Sequence, residues 1–356
     1  MKEFMEKNKV KYLHIFTYVL FIEPYVNFIN KNFNSKEHLF LILTNTGKVN
    51  LRENVKKISK NFKSLFLLIR EIYRSEKIFL HGLVYYEIVL IFFLQPWLLK
   101  KCNWVVLGVD LYQYKFRKKN FKSNLYEVAR RFVIKNMNGL MAFVKGDYEL
   151  AQKWYGVKGK YYYSFLYPNL VYKELDLSKV KRDNGKTYIQ VGNSADPALN
   201  HLEVFSKLKK YKDKAIEIIC PLAYGNEGYG DKVIEEGTKI FGNKFNPVVE
   251  LVSFEKYSEL LTKIDIAIFS YEGQQALGNI LILLGLGKKV YIRDDITSWK
   301  LCSDLGLKVY SLNKDFNELF QEMPNNVKLK NIDNIKKHFT EKKLKEDWEK
   351  IFQNKR

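Results

Sequence analysis

Short apolar runs rich in β-branched and aromatic residues alternate along this chain with longer segments whose apolar positions recur at helical spacing. That alternation predicts parallel strands joined by crossover helices, an α/β fold. In the first half, strands are predicted at Tyr12 to Tyr18, His38 to Thr44, Lys77 to Leu80, Trp104 to Leu107 and Gly139 to Val144. Helices are predicted near Tyr25 to Phe33 and at Ser64 to Arg74, Tyr85 to Leu94, Ser123 to Lys135 and Asp147 to Trp154. Pro168 to Lys186, with its proline, its charges and Asp183-Asn184-Gly185, loses the periodicity and reads as a linker. The alternation then restarts, with strands at Thr187 to Val191, Ala215 to Cys220, Ile264 to Phe269 and Lys289 to Ile292. Helices are predicted at His201 to Leu208, Tyr229 to Phe241, Lys256 to Thr262 and Gln275 to Leu284. Two Rossmann-like domains are therefore expected, residues 1–180 and 181–330. A charged helical tail, 331–356, is a candidate to return to the first domain.

Length and composition support two cores. A chain of 356 residues exceeds one ordinary domain, and 47% hydrophobic content with 15% aromatic excludes disorder. Cys102, Cys220 and Cys302 lie too far apart for a disulfide framework or a metal-type spacing, and the five histidines form no zinc motif. No metal and no cofactor are expected. A formal charge of +21 points to nucleic acid, anionic lipid or phosphorylated substrates, part of the excess being lysine on solvated faces. The stretch Tyr12 to Ile22 runs into Glu23 and Pro24 without a cleavage site, so no secretory signal is expected. The most apolar window, Tyr85 to Leu99, carries Glu87, Gln95 and Pro96 and falls short of the roughly 20 residues of a spanning helix. A cytoplasmic protein that does not cross a membrane but can lie on one is the expectation.

Ligands of open parallel sheets bind beyond the carboxyl ends of the strands, so candidate chemistry is sought there. Gly192-Asn193-Ser194 follows one strand; the glycine lets backbone approach a phosphate, although ordinary turn chemistry uses the same residues. The full three-glycine dinucleotide fingerprint is absent, against a NAD or FAD site. Tyr224 sits in the glycine-rich loop Pro221 to Gly230, which fits a base or sugar pocket or a plain turn. Gln274, Gln275, Gly278 and Asn279 open an apolar helix whose N-terminus offers unpaired N–H groups and a positive dipole end to a diphosphate. In the first half, His81-Gly82 and Gly108-Val109-Asp110 end strands; either His81 or Asp110 is placed to take an acceptor proton, or to do structural work. Lys115, Arg117, Lys118, Lys119, Lys122, Arg130 and Arg131 interleave with Phe116, Phe121, Leu125, Val128, Phe132 and Val133. This suits an anionic membrane surface, or an amphipathic helix whose lysines face water.

At these loci the chain resembles the bacterial TDP-N-acetylfucosamine:lipid II N-acetylfucosaminyltransferases, glycosyltransferase family 56. The resemblance rests on His14, His81-Gly82, Gly108-x-Asp110-Leu111-Tyr112, Gly146-Asp147 and Val191-Gly192-Asn193-Ser194. It continues through Asn200-His201, Pro221-x-x-Tyr224, Gln274-Gln275-x-x-Gly278, Arg293 and Trp299, in family order over residues 12 to 305. Ala276 stands where the family pattern has glycine, Asn279 where it has threonine, and Lys145 where it has arginine. The resemblance implies a GT-B fold, two Rossmann-like parallel-sheet domains facing an interdomain cleft, the first holding the acceptor and the second the donor. It implies a nucleotide-sugar donor, dTDP-linked and carrying a sugar such as 4-acetamido-4,6-dideoxygalactose, and a lipid-linked saccharide acceptor on undecaprenyl diphosphate. Asp110 and His81 are then the catalytic candidates. Gly192, Asn193, Ser194, Tyr224, Gln274, Gln275, Gly278, Asn279, Arg293 and Lys145 are then the donor-binding ones. A membrane-surface glycosyltransferase at the inner face of the membrane is the resulting expectation. Its rivals are a nucleotide-sugar epimerase of similar fold and a non-catalytic basic scaffold; no nucleic-acid-binding module is recognised.

Overall fold

A computed structural model describes residues 10–16, 22–44, 50–175, 185–314, 316 and 318–353. The parts of the expected first strand, linker and tail at 17–18, 176–184 and 354–356 lie outside the described residues. The chain divides into two compact units, one of Met1–Val171 with Glu341–Arg356, the other of Tyr172–Thr340.

The first unit runs β1 (Tyr12–Phe16), α1 (Ile22–Asn32), β2 (His38–Leu43), β3 (Val55–Ile58), α2 (Phe62–Arg74), β4 (Lys77–His81) and α3 (Tyr86–Leu94). It continues β5 (Cys102–Val105), α4 (Val109–Phe116), α5 (Phe121–Asn136), β6 (Gly139–Ala142), α6 (Lys145–Tyr155) and β7 (Lys160–Tyr163). Its seven strands are all parallel, in the order β3-β2-β1-β4-β5-β6-β7. Strand alternation sorts the side chains. Leu13, Ile15, Leu41, Ile78 and Leu80 pack with Leu68 and Ile72 of α2, Ile88 and Phe92 of α3 and Val133 of α5. The intervening His14, Phe16, Phe79 and His81 point to the other face, where they meet Tyr25 of α1.

The second unit repeats the plan with β8 (Thr187–Val191), α7 (His201–Leu208), β9 (Ile216–Pro221), α8 (Glu227–Phe241), β10 (Phe245–Val248) and α9 (Phe254–Lys263). It ends with β11 (Ile266–Phe269), α10 (Leu277–Gly285), β12 (Lys289–Ile292), α11 (Thr297–Asp304) and β13 (Tyr310–Ser311). The order β10-β9-β8-β11-β12-β13 matches that of the first six strands of the other unit, and again every pair is parallel. Each unit is thus a Rossmann-type sheet, with its order reversing at β1 or β8.

The tail is two helices, α12 (Asn325–His338) and α13 (Glu341–Gln353), because the chain breaks at Phe339 and Thr340. The division between the units falls at that break. Within the first unit, α13 buries Trp348 completely, and the indole N–H donates to the Leu166 carbonyl at 3.0 Å. Lys77 donates to the Phe352 carbonyl at 2.7 Å, and the Phe352 ring lies 4.7 Å from that of Tyr12.

Candidate functional site

His81 ends β4 and Asp110 lies in the first turn of α4, beyond the end of β5, but neither is placed as a base. Asp110 is 0% exposed. One carboxylate oxygen accepts from the Trp104 indole at 2.6 Å and the Leu83 amide at 3.0 Å; the other accepts from the Leu107 and Leu111 amides, both at 3.0 Å. Four donors leave this carboxylate no vacancy for a substrate hydroxyl. It ties the loop after β4 to the loop after β5, and the catalytic expectation is corrected to a structural one.

His81 is equally enclosed. Its Nδ1 lies 2.8 Å from the Tyr167 hydroxyl and its Nε2 3.2 Å from Nδ1 of His14, whose Nε2 lies 3.1 Å from Nδ1 of His38. The three imidazoles form a continuous buried chain across β4, β1 and β2, with the His81 ring stacked 4.0 Å from Phe16. Burial pulls all three below their ordinary range, His38 to about 3, so they stand neutral. A histidine with both nitrogens occupied inside the core is structural, and that expectation too is corrected.

The basic stretch divides. Lys115, Lys118, Lys119 and Lys122 are exposed. Arg130 is 0% exposed and donates to the Asp110 carbonyl, the Tyr155 hydroxyl and, at 3.4 Å, the Leu83 carbonyl. Buried Glu127 pairs with Arg130 at 3.6 Å, Arg131 at 3.4 Å and Arg117 at 3.9 Å. Arg130 is therefore not a surface cation, and Arg117 and Arg131 are committed within the unit. Lys145 belongs to the first unit, exposed at the start of α6, beside Asp147, which accepts from the Tyr112 hydroxyl at 3.2 Å.

In the second unit the strand ends do converge. Gly192 after β8 has φ +67°, and a Cβ there would stand 2.3 Å from Nε2 of His201 in α7. Glycine is required on both counts. The loop after β8 is laced to the loop after β9: the Ala195 amide donates to the Tyr224 carbonyl at 2.7 Å and the Asn226 amide to the Ala195 carbonyl at 2.9 Å. The Asn193 amide donates to the Tyr224 hydroxyl at 3.1 Å, and Ser194 is buried beside them. Burial raises the Tyr224 phenol, which stays protonated.

The loop before α10 joins this cluster. Gln275 donates to Asp196 at 3.1 Å, and Asp196 also holds the Ala198 amide at 3.0 Å. Asn279, in the first turn of α10, accepts from Tyr257 at 2.7 Å; Gln190 reaches Tyr257 at 3.5 Å and the Gly192 carbonyl at 2.8 Å. Gly192, Asn193, Ser194, Tyr224, Gln275 and Asn279 are thus brought together. Half-buried Gln274 and Gly278 flank the same helix start. Ala276, its N-cap, has φ +58°, a conformation that favours the glycine of the family pattern. Several polar atoms here, Asn193 Oδ1, Gln275 Oε1 and His201 Nε2 among them, are buried without a partner among the described residues. Burial lowers His201 to about 4. The Tyr229 oxygen accepts the His201 backbone amide at 3.1 Å and lies 3.3 Å from Nδ1 of the His201 ring.

Arg293, after β12, is bound in a fork by Asp295 at 2.9 and 2.7 Å, which raises it further. The charges of Glu272, after β11, and Glu203, in the first turn of α7, raise it too. Sequence reasoning missed Tyr257 as a member of the cluster and treated His201 as a motif residue alone. Among the described residues, no three His, Cys, Asp or Glu side chains are grouped to hold a metal, and no helix is long and apolar enough to cross a membrane.

A family model described as 4-alpha-L-fucosyltransferase, glycosyl transferase group 56, matches residues 27–356. Among solved structures the chain is similar to HepE of Anabaena in complex with UDP and glucose, at 10% identity and a TM-score of 0.72, over 97% of this chain and 100% of that one. It is similar to sucrose-phosphate synthase of Thermosynechococcus elongatus at 8% identity and a TM-score of 0.71, over 96% and 98% of the two chains. A third likeness is to WaaG, a glycosyltransferase involved in lipopolysaccharide biosynthesis, at 11% identity and a TM-score of 0.64, over 97% and 100%. At such identities these structural likenesses speak to the fold.

Proposed function

The chain belongs to glycosyl transferase group 56, as a glycosyltransferase of GT-B fold, and from that premise we propose that its second unit grips the diphosphate of a nucleotide sugar whose glycosyl group passes to a lipid-linked saccharide. The observation that carries the reading is the cluster at the tips of β8, β9 and β11. Gly192 there has no side chain to block close approach, and α10 begins without a side-chain cap. Helix N-terminal amides and the dipole end favour a diphosphate. Tyr224 and the Asn193 and Gln275 side chains supply neutral polar contacts for phosphate, ribose or sugar.

Transfer breaks the bond from the anomeric carbon to the diphosphate oxygen and the O–H bond of the acceptor, makes one from the anomeric carbon to the acceptor oxygen, and releases nucleoside diphosphate and a proton. Negative charge grows on the departing diphosphate, where preorganised dipoles lower the barrier. We assign that stabilisation to the α10 terminus and Arg293, without a metal ion. The donor we propose is a dTDP-linked deoxy-acetamido sugar of the 4-acetamido-4,6-dideoxygalactose type, and the acceptor a saccharide on undecaprenyl diphosphate at the inner face of the cell membrane, in surface polysaccharide synthesis. The UDP held by HepE makes UDP the comparison base.

Thermal unfolding with dTDP, UDP and GDP tests this reading. A nucleotide at a hundred times its dissociation constant stabilises by about 2.7 kcal/mol. The shift is expected with dTDP, and it should vanish in Asn193→Ala/Gln275→Ala. A shift that persists in that variant would place the nucleotide elsewhere. Consumption of nucleotide sugar without acceptor would favour the epimerase.

A further inference from the structure

We infer that the outward faces of α2, α3 and α5 form one continuous surface that docks on an anionic bilayer. The inference deepens the reading of a membrane-borne acceptor and rests on it. Within each of these helices the exposed large apolar side chains recur at helical spacing, on one face. Phe62, Leu65, Phe66 and Tyr73 project from α2; Tyr86, Leu90, Phe93 and Leu94 from α3; and Phe121, Leu125, Val128 and Phe132 from α5. Exposure reaches 84% at Phe62, 71% at Leu94 and 86% at Phe121. On α5 the four fall at helical spacing, a stripe opposite the buried Ala129, Val133 and Ile134.

The three helices lie side by side. Lys60 pairs with Glu87 at 3.4 Å near the starts of α2 and α3, and the Tyr73 hydroxyl donates to Gln95 at 2.6 Å near their ends. The Phe93 and Phe132 rings meet edge to face at 5.5 Å, joining α3 to α5. Helix faces that stay apolar on the water side, three in a row, form a patch that a soluble monomer rarely exposes.

Charge identifies the occupant. Residues 60–136 hold fifteen Lys or Arg against five Asp or Glu. Two of those acids, Asp110 and Glu127, are buried, and Glu71 is buried against Arg70 at 2.6 Å. Lys63, Arg70, Arg74, Lys100 and the lysines at 115, 118, 119 and 122 are left on the outside. A stripe of phenylalanine and leucine rimmed by cations, with Trp97 exposed at its edge, fits the interface of an anionic bilayer. A second copy of this chain would bring the same cations against one another.

Co-sedimentation of the full chain with vesicles tests the inference, using phosphatidylcholine alone or mixed with phosphatidylglycerol and no acceptor lipid. The wild type should bind the mixed vesicles and prefer them to phosphatidylcholine. Phe66→Ser/Leu94→Ser/Phe121→Ser should weaken that binding by at least about tenfold. Lys118→Glu/Lys119→Glu/Lys122→Glu should abolish the preference for anionic lipid. Circular dichroism and an unchanged nucleotide-induced thermal shift establish that both variants are folded. Equal vesicle binding by the serine variant would overturn the inference. So would a self-associating wild type that binds no vesicles and that the serine substitutions make monomeric. Vesicle binding without any nucleotide shift would instead remove the donor-site reading and leave this surface standing.

Discussion

Replacing Asp110 with Asn separates a structural carboxylate from a catalytic one. The substitution keeps shape and one acceptor oxygen, but turns the other into an amide donor facing two donors. Either the Trp104 indole and Leu83 amide, or the Leu107 and Leu111 amides, lose their acceptor. Trp104, Leu83 and Leu111 are fully enclosed and Leu107 partly so, and an orphaned buried donor costs about 1–3 kcal/mol, so the loss should be about 2–6 kcal/mol. In a unit of this size each kcal/mol lowers the melting temperature by about 2–4 °C, so a fall of roughly 5–20 °C is expected. The assay is thermal and urea unfolding followed by circular dichroism, with nucleotide binding to the second unit as an internal control. Trp104→Phe, which removes one donor, should cost less. An Asp110→Asn protein that melts with the wild type yet turns over about 100-fold more slowly would refute the reasoning and restore Asp110 as the base.

Other expectations follow from the same geometry. Gly192→Ala should lower nucleotide affinity by at least about tenfold, because its Cβ would fall 2.3 Å from His201 Nε2; adding His201→Ala should relieve the clash but not the roughly 1–2 kcal/mol of left-handed backbone strain. Ala276→Gly should stabilise the second unit by about 1 kcal/mol in urea titrations, since Ala276 holds φ +58°. For pH, burial holds His14, His38 and His81 below the usual 6.5, so below that pH the unfolded chain binds protons that the folded chain does not. Stability therefore rises with pH and falls on acidification below about 6.5, by about 1.4 kcal/mol per pH unit for each histidine. Urea unfolding at stepped pH should give that slope, and His14→Gln should flatten it. Chelation of divalent cations should leave turnover unchanged; a rate restored by added magnesium would contradict the metal-free assignment.

The central strands were legible because they are largely buried on both faces and read as mostly apolar runs, with His14, Asn103 and Gln190 among the few polar insertions. The strands that periodicity passed over, β3, β7, β10 and β13, are the four edges of the two sheets. Edge strands pair on one side only, and these carry lysines in β3, tyrosines in β7 and a proline in β10. Gln275 and Asn279 were legible as polar residues opening an apolar helix. Tyr257 was not, since long-range pairing leaves no periodic trace. Arg130 shows the limit of reading a charge run: it shares the inward stripe of Ala129, Val133 and Ile134, and that stripe, not its neighbours in sequence, sets its environment. Asp110 was expected at a strand end and lies in the first turn of α4 instead, and the sequence held no sign that four donors would close over it.

The most direct test of the account is a radiolabelled transfer assay with purified enzyme, a dTDP-linked deoxy-acetamido sugar and an undecaprenyl-diphosphate saccharide. Label is expected in the lipid product, with nucleoside diphosphate released one for one and both lost in Asn193→Ala/Gln275→Ala. Transfer at the wild-type rate by that variant would contradict the placement of the donor in the second unit.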